Sequence, residues 1–237
     1  MPFWKKPRVK ELLPHPVGAA HAEYSLILST HDDPHPPTRS LIETSLAAIR
    51  AALDIDLSPL ADRLPSPPFY PQIWPGEHYR LLAGFVQILK PRLIVEIGTA
   101  TGLSALALTH ASAGRLATFD LFPWEAHPKT VLRPSDFANG RLTHYVADLS
   151  DPVQFERYRP LLQEAEFFFI DATHDGELES RLVSLLATVS FPAPPLLFFD
   201  DIRVWSMLKF WRELPLPKLD LTSFGHWSGS GVAQFSD

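Results

Sequence analysis

The 237-residue sequence predicts an α/β domain built on a doubly wound, mostly parallel sheet of seven strands. Three observations predict it. Short apolar runs at 93–97, 116–119, 142–147, 167–170 and 196–199 alternate with segments of helical periodicity. Each run ends at or just before a carboxylate. The chain then closes on a different pattern: runs at 219–224 and 232–235 flank a Gly/Ser-rich turn at 228–231, which reads as an antiparallel hairpin on one sheet edge.

In chain order, the Pro-rich first part carries an apolar, partly β-branched run at 22–30, read as a short strand. Ile42, Leu46, Ile49 and Leu53 recur at helical spacing between two proline clusters and predict one amphipathic helix. So little core does not fold alone, so residues 1–71 are expected to form a helical extension packed on a main domain at 72–237. Residues 77–89 predict a helix with Leu81, Leu82, Phe85, Val86 and Leu89 on one face. Further helices are expected at 103–110, over Leu178 to Val189, and at 204–213. Strands buried on both faces and separated by helices require parallel pairing with right-handed crossovers.

Composition narrows the function classes. Hydrophobic residues at 46% and charged residues at 20% describe a chain that can bury a core. A net charge of −6 argues against a nucleic-acid surface. The absence of cysteine excludes disulfides, Cys-ligated metals and a thiol nucleophile. No run approaches the roughly 20 apolar residues of a membrane span. The basic N-terminus lacks the apolar core of a secretory signal, so a cytoplasmic location is the expectation.

The strand-end acids carry most of the functional information. Glu96, Asp120, Asp148, Asp171 and the Asp200, Asp201 pair follow one another at intervals of 24, 28, 23 and 29 residues, each about one strand–helix unit. In a doubly wound sheet all these ends lie along one edge, beside the ligand crevice. Any one Asp there has an ordinary explanation as a cap or turn residue; five such positions in succession select for a ligand. An acidic edge repels pyrophosphate and holds a cationic ligand with ribose hydroxyls. After the first strand, Glu96-Ile97-Gly98-Thr99-Ala100-Thr101-Gly102-Leu103-Ser104 makes a glycine turn into a helix. It lacks the G-x-G-x-x-G spacing, which disfavours classical NAD binding.

With these residues the sequence resembles the class I S-adenosylmethionine-dependent methyltransferases, near their small-molecule O-methyltransferase branch, from about Trp74 to the C-terminus. The resemblance implies the Rossmann-like methyltransferase fold and S-adenosylmethionine as cofactor. The turn over Glu96, Gly98, Thr99 and Gly102 would cradle its methionine part and Ser104 would contact its carboxylate. Asp120 would bind the ribose hydroxyls and Asp148 would lie by the adenine. Ala100 departs from the glycine or aromatic residue of many members. Asp171, Asp200 and Asp201 match the three-acid set that binds Mg²⁺ in cation-dependent members, where a hard ion orients the acceptor oxygen. His174 matches a position serving as general base in some sugar methyltransferases, which makes His174 and Asp171 the catalytic candidates.

The implied reaction is methylation of a hydroxyl on a small molecule, a sugar or a phenol, with no nucleic-acid or membrane partner. His174 and Asp201 have structural alternatives as helix openers. His226 and Trp227 either line the acceptor pocket or pack the hairpin. Trp74, Pro75, Gly76 and Glu77 either cover the cofactor or simply start a helix. Two other functions remain open: a nicotinamide-dependent oxidoreductase, and a non-catalytic binding protein of the same fold. A homodimer contact through the Pro-rich part also stays open.

Overall fold

A computed structural model describes residues 35–64 and 77–235. The strand expected at 22–30 lies outside them, as do Trp74, Pro75 and Gly76. From Pro37 onward the chain forms one compact unit, so the helix expected in the extension belongs with the sheet.

Seven strands form one sheet in the order β3-β2-β1-β4-β5-β7-β6. They are β1 (Leu93–Ile97), β2 (Arg115–Asp120), β3 (Leu142–Val146), β4 (Phe167–Ile170), β5 (Leu196–Asp200), β6 (Lys218–Asp220) and β7 (Ser230–Gln234). The first five pair in parallel, and β7 runs antiparallel to both β5 and β6. Among the described residues the α-helices are α1 (Arg39–Asp54), α2 (Tyr79–Leu89), α3 (Leu103–Ala111), α4 (Pro152–Leu162), α5 (Glu177–Leu186) and α6 (Trp205–Glu213).

Strands β1, β4 and β5 are buried throughout, which is why they read as unbroken apolar runs. Alternate side chains serve opposite layers. Phe167, Phe169 and Phe198 join Leu81, Phe85 and Leu103 in the core shared with the α2 and α3 layer. Phe199 packs tilted against Phe210 and edge-on against Trp211 of α6, and Phe119 packs edge-on against Tyr158 of α4. Each fully buried phenylalanine contributes about 1.5–3 kcal/mol relative to exposure.

Two expectations need correction. The stripe of Ile42, Leu46 and Leu53 on α1 is exposed, and of the expected set only Ile49 is buried. Leu41, Ser45, Ala48 and Ala52 face inward instead. The reason is Gly84 of α2: a Cβ there would stand 2.3 Å from the Ala48 carbonyl oxygen, so the helices meet backbone to backbone through small residues. At the C-terminus the run expected over 219–224 is a strand only at Lys218–Asp220, followed by a 3₁₀ turn over Thr222–Phe224. Asp220 Oδ1 accepts from both the amide and the hydroxyl of Thr222, which turns the chain out of the ladder. The expected Gly/Ser turn is also partly strand, since β7 starts at Ser230.

Candidate active site

The register of the parallel strands brings their carboxyl ends level. Ile97 pairs with Phe119 on one side and Ile170 on the other, at the point where the strand order reverses. A crevice is expected there. It is present as a cavity of about 190 Å³ whose walls include Gly98, Asp120, Asp148, Asp171, Leu149 and Leu178. None of its lining residues is basic.

The glycine turn is fixed by the sheet beneath it. Gly98 has φ +99, and a Cβ there would overlap the Asp171 carbonyl oxygen at 1.7 Å. Only glycine lets the first loop pass this close to the end of β4. Gly102, at φ +82, opens α3 under the Leu132 side chain. Ala100 holds φ +43, a left-handed conformation that glycine would take without cost. Asp120 ties this loop to β2: its Oδ2 accepts from the Ala100 amide at 3.0 Å and its Oδ1 from the Leu121 amide at 2.7 Å. Asp148 Oδ1 accepts from the Ser150 amide and hydroxyl while facing the cavity.

The remaining expected cofactor residues lie behind the loop. Thr99 is buried with its hydroxyl 2.6 Å from that of Thr118. Ser104 is buried in the first turn of α3. Glu96 is fully buried, and neither carboxyl oxygen meets a hydrogen-bond partner of full geometry. Burial pushes its pKa up to about 7, against the pull of the Ser104 and Thr118 hydroxyls.

Beside the cavity, the ends of β4 and β5 meet the start of α2 and the hairpin turn in a cluster of acids and imidazoles. His174 Nε2 lies 3.2 Å from Asp171 Oδ1 and 3.5 Å from Asp201 Oδ2. His78 Nδ1 lies 3.1 Å from Asp200 Oδ2. His226 Nε2 is 3.1 Å from Glu77 Oε2, and its Nδ1 is 3.5 Å from Asp200 Oδ2 and 3.3 Å from Asp201 Oδ1. His174 does not open the following helix. Asp175 accepts from the Glu177 and Leu178 amides in that role, while buried Glu179 accepts from the His174 and Gly176 amides. Nor does Asp201 cap α6 with its side chain; Ser228 Oγ donates to it instead. Of the four non-glycine residues with positive φ among the described residues, three are Ala100, His174 and Asp201, one on the loop after each of β1, β4 and β5. Strain of this kind gathers where side chains must be aimed.

The ionisation of the cluster follows from these distances. Against the penalty of burial, the Asp171 hydrogen bond and the charges of Asp171, Asp201 and Asp200 raise His174 to about 9. Burial likewise opposes charge on His226, yet hydrogen bonds to Asp200, Asp201 and Glu77 raise it to about 12. His78 is raised by Asp200, although burial works against it. Burial pushes Asp171 up, whereas Asp200 lies well below the usual carboxylate range because His78 and His226 outweigh its burial.

Three sets of donor atoms among the described residues close to within 4.8 Å: Glu77, His78 and His226; His78, Asp171 and Asp200; Asp200, Asp201 and His226. Each contains a histidine, and the trio of Asp171, Asp200 and Asp201 is not one of them. Mixed imidazole and carboxylate sets do not fit a hard Mg²⁺ ion, which takes oxygen ligands. His78 and Ser228 were not among the site residues expected from sequence, and Glu77, expected to cover the cofactor or start a helix, instead meets His226. The one signal for them is an acidic–imidazole pair directly before the α2 periodicity and a second imidazole beside the hairpin turn.

The strand order, with β7 antiparallel between β5 and β6, is that of the Rossmann-like methyltransferase fold. Comparison of structures agrees. A methyltransferase of Podospora anserina, solved bound to S-adenosylhomocysteine, aligns over 98% of this chain and 98% of its own at 16% identity and a TM-score of 0.52. A Staphylococcus aureus protein named for caffeoyl-CoA O-methyltransferase activity aligns over 82% of this chain and 100% of its own, at 14% identity and a TM-score of 0.53. No protein-family model and no curated protein sequence matches the chain. At such identities the likeness establishes the fold, and function rests on the site.

Proposed function

We propose that the protein is an S-adenosylmethionine-dependent methyltransferase acting on a hydroxyl of a small molecule. One observation carries this reading. Asp120, Asp148 and Asp171, from three different strand ends, line one crevice together with Gly98, with no basic residue in its walls. Such a lining repels the pyrophosphate of a nicotinamide cofactor and accepts a cation that also carries hydroxyl donors. The apolar side chains of Ile97, Phe119, Leu149 and Leu178 give a flat ring its packing surface.

When bound, S-adenosylmethionine supplies an electrophilic methyl carbon: the acceptor oxygen forms the new C–O bond as the C–S bond breaks and its electron pair stays on sulfur. The chain's own residues bind and move a proton. Asp120 offers both carboxylate oxygens to ribose hydroxyls while holding the Ala100 amide in place. Asp148, after β3, is fixed through Oδ1 by the Ser150 amide and hydroxyl and presents its carboxylate on the adenine side of the crevice. His174 takes the acceptor's proton at Nδ1, while its Nε2–H points to Asp171 Oδ1, 3.2 Å away, which orients the ring and stabilises its charge. With a pKa of about 9, His174 is mostly protonated at neutral pH, so its free-base fraction limits the rate there.

Incubation with methyl-labelled S-adenosylmethionine and a panel of small phenols and sugars, analysed by mass spectrometry, tests the reading. Label should pass to at least one compound with the native chain and not with Asp120→Ala. Label transfer that is indifferent to Asp120→Ala, or absent for every compound, counts against it.

A further inference from the structure

The donors around Asp201 settle the protonation of His226. Ser228 has one hydroxyl proton and donates it to Asp201 Oδ1. Toward His226 Nδ1, 2.6 Å away, the same oxygen has only lone pairs to offer, so Nδ1 must carry hydrogen. On the other side of the ring, Nε2 lies 3.1 Å from Glu77 Oε2, and a carboxylate only accepts. Both ring nitrogens are therefore donors, and the ring is an imidazolium without a lone pair for a metal. Its Nδ1 stands 3.5 Å from Asp200 Oδ2 and 3.3 Å from Asp201 Oδ1, between the two acids of one of the three donor sets.

We propose that His226 is a resident cation filling the metal position between Asp200 and Asp201, so that this site works without a divalent ion. The inference rests on the methyltransferase reading for what the site does, and on geometry alone for what fills it. His226 acts as a positioning residue. Both its N–H groups are used to hold Glu77, Asp200, Asp201 and Ser228 in one frame, and it leaves none for an acceptor. His174 supplies a second positive group between Asp171 and Asp201. His78 lies against Asp200 from the α2 side, with its ring 5.6 Å from that of His226. Four carboxylates thus face three imidazoles, and no strong excess of negative charge is left to recruit a metal ion.

The test uses the full chain labelled with ¹⁵N-histidine, without cofactor, together with thermal melts. His226 is assigned through the resonance that disappears in His226→Asn. Both of its ring nitrogens should show protonated shifts from about pH 6 to about pH 9, a range in which an ordinary histidine titrates. Melting temperature should be the same with EDTA, Mg²⁺, Mn²⁺ or Zn²⁺. In His226→Asn the position is open, and Mg²⁺ or Mn²⁺ should raise the melting temperature relative to EDTA. A His226 ring nitrogen that is unprotonated near neutral pH, or a native chain whose melting rises with a divalent ion as that resonance shifts, overturns the proposal. If His226→Asn does not fold, His226→Gln and the native-chain spectra decide. None of these readouts involves methyl transfer, so their failure is separate from failure of the functional reading.

Discussion

Glu96 concentrates the electrostatic cost of the site in one side chain. Its carboxyl is fully buried and its folded pKa is about 7, against an ordinary value of 4.5. Between those values the unfolded chain releases the proton while the folded chain keeps it, so stability falls across that window. Above pH 7 a constant cost of about 3 kcal/mol remains. Glu96→Gln should therefore melt higher than the native chain above pH 7 and equally below pH 4.5, as measured by calorimetry without ligand. An equal difference at both extremes would assign the effect to packing. His174 shifts the other way. Its folded pKa of about 9 lies above the ordinary 6.5, so its stabilising contribution is complete below 6.5 and is lost as pH rises through 9. Catalysis needs the form that appears over the same window. Turnover should climb with pH to a plateau above about 9, and His174→Ala should lower it about a hundredfold and flatten the rise. An unchanged pH profile in the variant would remove His174 from the chemistry.

At the scale of elements, glycines and small residues decide how closely backbones approach. Gly84→Val would push a side chain into the Ala48 carbonyl, which belongs to helix backbone and cannot swing aside. We expect a loss of about 2–3 kcal/mol in urea unfolding, whereas Leu46→Ala on the exposed stripe should stay within about 0.5 kcal/mol. The opposite ranking would restore the helix face that periodicity suggests. That face was not readable from sequence because both sides of α1 carry residues at helical spacing, and the choice between them is made by a glycine 36 positions beyond Ala48. The strands were readable for a different reason. Burial on both faces leaves β1, β4 and β5 no polar position except Glu96 and the terminal Asp200, so their bounds stand out. The strand-end acids were legible because each recurs after one strand–helix step. The imidazole cluster was not, because His78, Asp171, Asp200 and His226 come together only through the sheet order, across separations that no local spacing encodes.

Over the whole molecule, the parallel strands, the reversal between β1 and β4 and the antiparallel β7 act together to put one acidic rim beside one crevice. The proposed methyl transfer requires that crevice to receive an adenosyl group attached to methionine. Calorimetric titration of the full chain with S-adenosylhomocysteine measures this directly. We predict one site per chain, weakened at least about tenfold in Asp120→Ala, the loss that follows from removing a charged hydrogen-bond acceptor. A native chain that gives no binding signal even at millimolar ligand, or that binds equally well without the Asp120 carboxylate, would contradict it.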